Sequence, residues 1–176
     1  MSIIPAFELG WWNAWIFIIP LLAVHVVTGR VLESRDAEGQ PSKFMMIIFL
    51  LLHFLPFIMP LNFDTYWFYV GLIVYLVGMV FVILAIIGFA TTPKDKPVTT
   101  GIFRISRNPM YMGGIRIFLG IAIVSLSWFY AIIVLIWLIL MIISISKEES
   151  QLLKKYGEEY REYMNRTPRW IGLPKK

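Results

Sequence analysis

Five long apolar runs constrain this chain more than any other feature. They cover residues 11–29, 44–61, 66–90, 109–125 and 128–145. The hydrocarbon core of a membrane is about 30 Å thick and a helix rises about 1.5 Å per residue, so about 18 apolar residues are enough to cross it. We therefore predict an all-α integral membrane protein with five transmembrane helices, in which residues 1–176 form a single domain.

The composition excludes other classes of protein. Hydrophobic residues make up 59% of the chain and charged residues only 15%, whereas a soluble domain carries about 25% charged residues. A soluble globular enzyme and a disordered chain are therefore excluded. The chain has no cysteine and only two histidines, so we predict neither a disulfide scaffold nor a metal site.

The boundary between the last two runs contains few polar residues. A single helix over residues 117–145 would be roughly 43 Å long, which is too long for one span without steep tilt. We therefore predict a tight hairpin at residues 125–128, where the sequence reads Ser-Leu-Ser-Trp.

The distribution of cations predicts the orientation. With five spans, 15 of the 16 Lys and Arg residues fall on one side, Arg116 lies within a span, and the other side has only Glu8 and Asp64. This is the positive-inside pattern, so the N-terminus is expected outside and the C-terminus in the cytosol. An interfacial belt at the outer boundary agrees with it, and consists of Trp11, Trp12, Trp15, Tyr66, Trp67, Tyr69, Trp128 and Tyr130.

The polar stretch over residues 91–111 leads into a helix that begins at Pro109. Proline is favoured at the first helical position, and Asn108 before it is a good N-cap residue. The free N–H groups of the helix start, with Arg104 and Arg107 beside them, make an anion site. The alternative is an ordinary capped helix with arginines that face the lipid.

Two adjacent carboxylates, Glu148 and Glu149, follow the last span. One of them could pair with Arg104 or Arg107 or bind a cationic ligand, and the alternative is a solvated helix start. Residues 147–164 have an apolar face at helical spacing, which predicts a cytosolic amphipathic tail helix that covers the inner mouth or lies on the membrane surface. Gly157 is a candidate break in this helix.

Three further polar residues lie within the predicted spans. Arg116 is costly there unless it is paired or hydrated, so it indicates a polar cavity, with snorkelling to the interface as the alternative. His25 and His53 are expected to be hydrogen-bonded to neighbouring helices rather than catalytic.

The chain resembles the isoprenylcysteine carboxyl methyltransferase and phospholipid methyltransferase family over about residues 94–171. Three segments carry the resemblance: TGIFRISRNPMYMG at 100–113, EESQLLKKYGEEYREYM at 148–164 and TPRWI at 167–171. The resemblance implies an integral membrane enzyme that uses S-adenosylmethionine in a site facing the cytosol.

The resemblance also implies the site residues. No catalytic side chain is assigned; Arg107, Asn108 and Tyr111 would position the reactants, and Arg116 is our candidate for contact with the acceptor substrate. The residues expected to bind the cofactor are Asp95, Lys96, Pro97, Val98, Phe103, Asn108, Pro109, Met110, Tyr111, Glu148 and Glu149.

Three positions depart from the family pattern. Asn108 replaces a common histidine and Phe103 a common tyrosine; both substitutions keep the function, because Asn still donates hydrogen bonds and Phe still stacks. Ser144 stands where the eukaryotic carboxyl methyltransferase has a substrate-binding arginine, which argues against a prenylcysteine carboxylate substrate.

We therefore predict a membrane methyltransferase that acts on a lipid-like or hydrophobic acceptor. Its expected partners are that acceptor and the membrane, with no nucleic acid and no obligate protein partner. Two alternatives remain open: an NADPH-dependent reductase of related fold, and a non-enzymatic transporter or scaffold subunit.

Overall fold

A computed structural model describes residues 10–33 and 43–172, and the regular elements in these two ranges are all helices. They are a 3-10 turn at Ala14–Phe17, α1 (Ile18–Glu33), α2 (Lys43–Phe54), a 3-10 turn at Leu55–Ile58, α3 (Tyr66–Thr91), a 3-10 turn at Gly101–Arg104, α4 (Pro109–Val124) and α5 (Trp128–Arg166). Four of the charged residues that predicted the orientation, Glu8, Arg35, Lys175 and Lys176, lie outside the described residues.

The all-helical prediction is confirmed, and several predicted boundaries agree closely with the structure. The third and fourth helices match within one residue. The second run is not one regular helix, because α2 ends at Phe54 and a 3-10 turn containing Pro56 follows it. Proline has no N–H to donate to the preceding turn, so the α-helical hydrogen bonding stops there.

The predicted hairpin between the last two spans is confirmed. Helix α4 ends at Val124 and α5 begins at Trp128, with Leu126 at a φ of 50° between them. The hydroxyl of Ser127 accepts a hydrogen bond from the Tyr130 N–H at 3.3 Å, which caps the start of α5.

The predicted separation of the last span from the tail helix is wrong. Helix α5 continues without interruption through residues 145–147, past the predicted end of the span. No Gly or Pro occurs between residues 142 and 156, so nothing ends the helix where the sequence becomes polar. The break lies at Gly157, as the sequence suggested, where the backbone adopts a φ of 57° and a ψ of −127°.

Three of the described helical segments are long and apolar enough to cross a membrane, namely Ala14–Val31, Tyr66–Thr91 and Trp128–Arg166. Two shorter apolar segments, Lys43–Ile58 and Pro109–Val124, accompany them. The 16 residues of α4 span roughly 24 Å, somewhat less than a typical hydrocarbon core. The chain is a multi-pass membrane protein.

Helices α3 and α4 pack with their backbones in direct contact along a glycine seam formed by Gly71, Gly78, Gly113 and Gly120. A Cβ atom at Gly78 would stand 2.7 Å from the carbonyl oxygen of Gly113, and one at Gly120 would stand 2.8 Å from that of Gly71. Small residues at such a seam let two membrane helices approach closely enough for extensive van der Waals contact. The seam therefore fixes α4 against α3.

The remaining helices pack around this pair with long-range hydrogen bonds. The Tyr75 hydroxyl donates to the carbonyl of Phe17 at 2.7 Å, and the Tyr130 hydroxyl donates to that of Leu52 at 2.6 Å. Both tyrosines are buried. The first bond attaches the 3-10 turn before α1 to α3, and the second attaches α2 to α5.

One end of the bundle is made by residues 92–108 and 147–172, which we call the polar end. A second, smaller hydrophobic cluster lies there and includes Val98, Phe103, Tyr160 and Tyr163. The Tyr163 hydroxyl donates to the Phe103 carbonyl at 2.8 Å. The segment of α5 beyond the Gly157 break thus folds against the loop that precedes α4.

Gly78→Ala should lower the free energy of unfolding by about 1–3 kcal/mol, since the added methyl group meets backbone atoms that cannot move aside. Gly29→Ala is the matched control, because nothing lies within 4 Å of a Cβ there. Thermal unfolding in detergent micelles measures both. Equal stability of the two variants would contradict the seam.

Candidate functional site

Glu149 lies at the centre of the polar end, with only 4% of its surface exposed. Its Oε1 atom lies 3.3 Å from Nε of Arg107, and its Oε2 atom accepts a hydrogen bond from Nε of Arg169 at 2.9 Å, with Nη2 of Arg169 also in contact. Two cations from different segments therefore neutralise one buried carboxylate. The sequence offered Arg107 as a partner for one of the two glutamates but missed Arg169.

Asn108 belongs to the same cluster. Its side-chain amide donates to Glu149 at 3.4 Å and to the carbonyl of Arg169 at 3.2 Å. Its backbone N–H donates to the Ser106 hydroxyl, which in turn donates to that same Arg169 carbonyl at 3.2 Å.

The expected cap by the Asn108 side chain is wrong, since that side chain makes no capping hydrogen bond to α4. The side-chain N–H groups of Asn108 donate instead to the buried carboxylate of Glu149, a strong acceptor, and to the Arg169 carbonyl. Asn108 therefore holds the cluster together instead of closing the helix.

These contacts attach the last described residues, 167–172, to the loop before α4; we call this segment the C-terminal strap. The Arg107 N–H donates to the Pro168 carbonyl at 3.0 Å, and the Gly172 N–H donates to that of Ile105 at 3.1 Å. The sequence signal for the strap was weak, because Arg169 in the TPRW segment lies 20 residues after Glu149, too far for a local pattern to pair them.

Glu148 has quite different surroundings from its neighbour. Its side chain is exposed, and Oε1 accepts a hydrogen bond from the Tyr111 hydroxyl at 2.9 Å. It lies beyond the apolar part of α5 and takes part in no ion pair within the described residues. Nearby groups displace water from the carboxylate and raise its pKa, an effect that the Tyr111 hydrogen bond opposes and the Glu149 charge reinforces.

The loop residues predicted to bind the cofactor differ in exposure. Asp95 and Lys96 are exposed in a turn, whereas Pro97 and Val98 are buried. Phe103 is buried in the second hydrophobic cluster, with its ring edge-to-face on Phe89 at 5.2 Å between centroids. In the same cluster, burial raises the pKa of Tyr160 to about 12.

An apolar cavity of about 210 Å³ lies inside the helix bundle, between α1, α2, α3, α4 and α5. Tyr111 and Met110 line it, and Tyr111 is also the residue that donates to Glu148. The cavity and the acidic pair thus meet at one side chain. The full lining is Leu21, Val24, His25, Thr28, Phe49, Val82, Met110, Tyr111, Gly114, Ile117, Phe118 and Trp137.

Arg116 is not among the residues that line this cavity. Its Nη1 donates to the Met112 carbonyl one turn earlier at 2.7 Å, and its guanidinium lies 4.8 Å from the ring centroid of Phe81 on α3. The side chain therefore extends back towards the start of α4, along a face that also carries the exposed Leu119. Its contact with the acceptor stays a prediction.

The two histidines are adjacent, with ring centroids 5.0 Å apart. Each places Nδ1 2.7 Å from a carbonyl of its own helix, Leu21 for His25 and Phe49 for His53. The expected hydrogen bonds to neighbouring helices are thus replaced by bonds within each helix. Nε2 of His53 is buried and has no hydrogen-bond partner in the part of the chain that the structure describes.

Glu149→Gln should lower the free energy of unfolding by about 3 kcal/mol, because it leaves two guanidinium groups without their buried counter-charge. Glu162→Gln is the control, since its ion pair with Arg166 is about two-thirds exposed and should contribute less than about 1 kcal/mol. Chemical unfolding in micelles compares them. Similar losses in both variants would mean that Glu149 does not hold the C-terminal strap.

The family model described as phospholipid methyltransferase matches residues 66–159, which is more than half of the chain. The matched segment contains the glycine seam, Asn108, Tyr111 and both glutamates of the acidic pair. A search of curated proteins finds no match.

Proposed function

Because the chain belongs to the phospholipid methyltransferase family, we propose that it transfers a methyl group from S-adenosylmethionine to a hydrophobic acceptor in the membrane. Membership of the family makes it a membrane methyltransferase. The methyl donor, the acceptor and the residues that bind them are the subject of the proposal.

The observation that carries the proposal is the position of Tyr111. This side chain lines the apolar cavity and also donates a hydrogen bond to Glu148 at 2.9 Å. A methyltransferase of hydrophobic molecules needs an apolar volume for the acceptor next to polar groups for a charged cofactor. Both environments meet at Tyr111.

We assign the ammonium group of S-adenosylmethionine to Glu148. Its neighbour Glu149 already faces two guanidinium groups, whereas the one hydrogen-bond partner of the Glu148 side chain among the described residues is the neutral hydroxyl of Tyr111. A carboxylate whose charge is destabilised by loss of water gains from a cationic ligand. Glu149 then acts as a positioning residue that holds Arg107 and Asn108.

The start of α4 is the proposed site for the cofactor carboxylate. Backbone N–H groups at a helix start favour anions, and residues 108–111 form that start here. Asp95, Lys96, Pro97, Val98 and Phe103 complete the proposed pocket from the preceding loop.

When bound, S-adenosylmethionine supplies an electrophilic methyl group on a positively charged sulfur. The positive charge on sulfur disappears during an in-line transfer, so a site of low dielectric favours the reaction. The role of this chain is to align the two reactants and exclude water. Tyr111, Asn108 and Arg107 are the proposed positioning residues, and no side chain is assigned as an acid or base.

Arg116 remains our candidate for contact with the acceptor. The contact would be made with a part of the acceptor that stays in the bilayer. Its guanidinium lies beside Phe81, away from the cavity lining. An anionic group held in the lipid layer next to α3 and α4 would balance its charge.

We further propose that all five apolar segments cross the membrane, with the polar end in the cytosol. The cation distribution supports this arrangement. The two segments of the polar end, residues 92–108 and 147–172, are rich in Lys and Arg, and such segments are favoured on the cytosolic side. A cofactor from the cytosol and an acceptor from the bilayer would then reach Tyr111 from opposite directions.

The orientation predicts that cysteines placed at Asp64 and Glu158 lie on opposite sides of the membrane. Both residues are exposed, and the chain has no cysteine of its own. Labelling of sealed vesicles with a membrane-impermeant maleimide should modify one position before lysis and the other only after it. Labelling of both from the same side would refute the five-span arrangement.

The cofactor assignment predicts that the purified protein binds S-adenosylmethionine in preference to NADPH. Glu148→Gln keeps the shape of the side chain and removes its charge. Loss of a charge-assisted hydrogen bond should weaken S-adenosylmethionine binding by about 1.5–3 kcal/mol, which is roughly 10- to 150-fold. Isothermal titration calorimetry in micelles measures both ligands.

Arg116→Met is the comparison variant in the same titration. It should keep S-adenosylmethionine affinity within about threefold, since its guanidinium contacts neither Glu148 nor Tyr111. Unchanged affinity in a folded Glu148→Gln protein would remove Glu148 from the site. Tighter binding of NADPH would favour a reductase, and binding of neither ligand would favour a transporter or scaffold subunit.

A further inference from the structure

The polar side chains on the wall of the apolar cavity have used their donor hydrogens on other protein groups. The Thr28 hydroxyl donates to the Val24 carbonyl at 2.8 Å, and the Tyr111 hydroxyl donates to Glu148 at 2.9 Å. Each hydroxyl has a single hydrogen. Each oxygen can therefore only accept a further hydrogen bond, through its lone pairs.

His25 follows the same rule. A carbonyl oxygen cannot donate, so the 2.7 Å contact between His25 Nδ1 and the Leu21 carbonyl requires the hydrogen to be on Nδ1. In the neutral ring Nε2 is then an acceptor.

His53, directly behind His25, repeats the arrangement. Its Nδ1 lies 2.7 Å from the Phe49 carbonyl, so its buried Nε2 is also left as an acceptor without a partner among the described residues. The two imidazole rings, with centroids 5.0 Å apart, have thus both committed their Nδ1 hydrogens to carbonyls of their own helices. His53 is not among the residues that line the cavity, so the side-chain acceptors on its wall are those of Thr28, Tyr111 and His25.

The rest of the cavity wall is apolar and uncharged. No Asp, Glu, Lys or Arg is among the lining residues. Trp137 directs carbon atoms of its six-membered ring at Gly114, with Cη2 only 3.0 Å from the position of a Cβ there. A charged ligand would thus leave water for a wall that offers no counter-charge.

From this lining we propose that the cavity binds an uncharged hydrophobic molecule with a hydroxyl group, an alcohol or a phenol, whose O–H donates to Thr28 or His25. Carboxylates and phosphates are excluded, because their oxygens would face lone pairs. Calling this molecule the methyl acceptor rests on the proposed function, whereas its binding does not.

The volume of the cavity limits how large a part of the ligand it can hold. An apolar cavity of roughly 150 Å³ accommodates benzene, and this one has about 210 Å³. A substituted ring or a short branched chain is therefore a suitable probe. We choose 4-propylphenol, which donates, its methyl ether 4-propylanisole, which only accepts, and the anion 4-propylbenzoate.

Binding of the three probes to the full chain is followed by thermal stabilisation at one fixed micelle concentration, without S-adenosylmethionine, so that no methyl transfer occurs. The phenol should bind the unmodified protein about three- to tenfold more tightly than the ether, as one neutral hydrogen bond allows. The benzoate should give no stabilisation.

Thr28→Val and His25→Phe each remove one acceptor and keep the approximate shape of the side chain. At least one of them should weaken phenol binding three- to tenfold and leave ether binding unchanged. Thr91→Val is the matched control, because Thr91 also donates to a carbonyl four residues earlier at 2.8 Å but is exposed and outside the cavity. It should change neither affinity.

Equal binding of phenol and ether, binding of the benzoate, or phenol affinity that neither variant changes would each overturn the inference. A protein that prefers the phenol but does not bind S-adenosylmethionine would instead overturn the proposed function and leave this inference standing. The two failures are therefore distinguishable.

Discussion

The direct backbone contact between α3 and α4 is the constraint on which the rest of the structure depends. Glycines on both helices remove the side chains that would hold them apart, and this fixes the rotation of α4 about its axis. One face of α4 then meets α3, a second lines the cavity with Tyr111 and Gly114, and a third carries Arg116. The functions proposed for these residues follow from that rotation.

Two adjacent glutamates on α5, Glu148 and Glu149, have opposite surroundings. Successive residues of a helix point in different directions, so Glu149 is turned inwards to Arg107 and Arg169 while Glu148 lies at the surface beside Tyr111. The inner carboxylate binds protein cations and holds the C-terminal strap. The outer one is left with a neutral partner, which is the environment that a cationic ligand would complete.

The cavity connects this polar end to the interior of the bundle. Its polar wall atoms are few, and the direction of their hydrogen bonds decides what they can recognise. Hydroxyl and imidazole groups usually both donate and accept; here backbone carbonyls of α1 and the Glu148 carboxylate take the donor hydrogens. Selectivity for a class of ligand can thus arise from contacts that the wall residues make with the protein itself.

The sequence by itself determined the all-helical membrane class, the hairpin at residues 125–128, the break at Gly157 and the family, because apolar length, turn residues and motif spacing are local properties. Only the tertiary structure decided which glutamate is buried, that Asn108 binds Glu149 instead of capping α4, and that Arg116 lies off the cavity wall. Those outcomes depend on helix rotation and on partners 20 to 61 residues distant in the chain, such as Glu149 with Arg169 and Asn108 with Arg169. No local pattern encodes them.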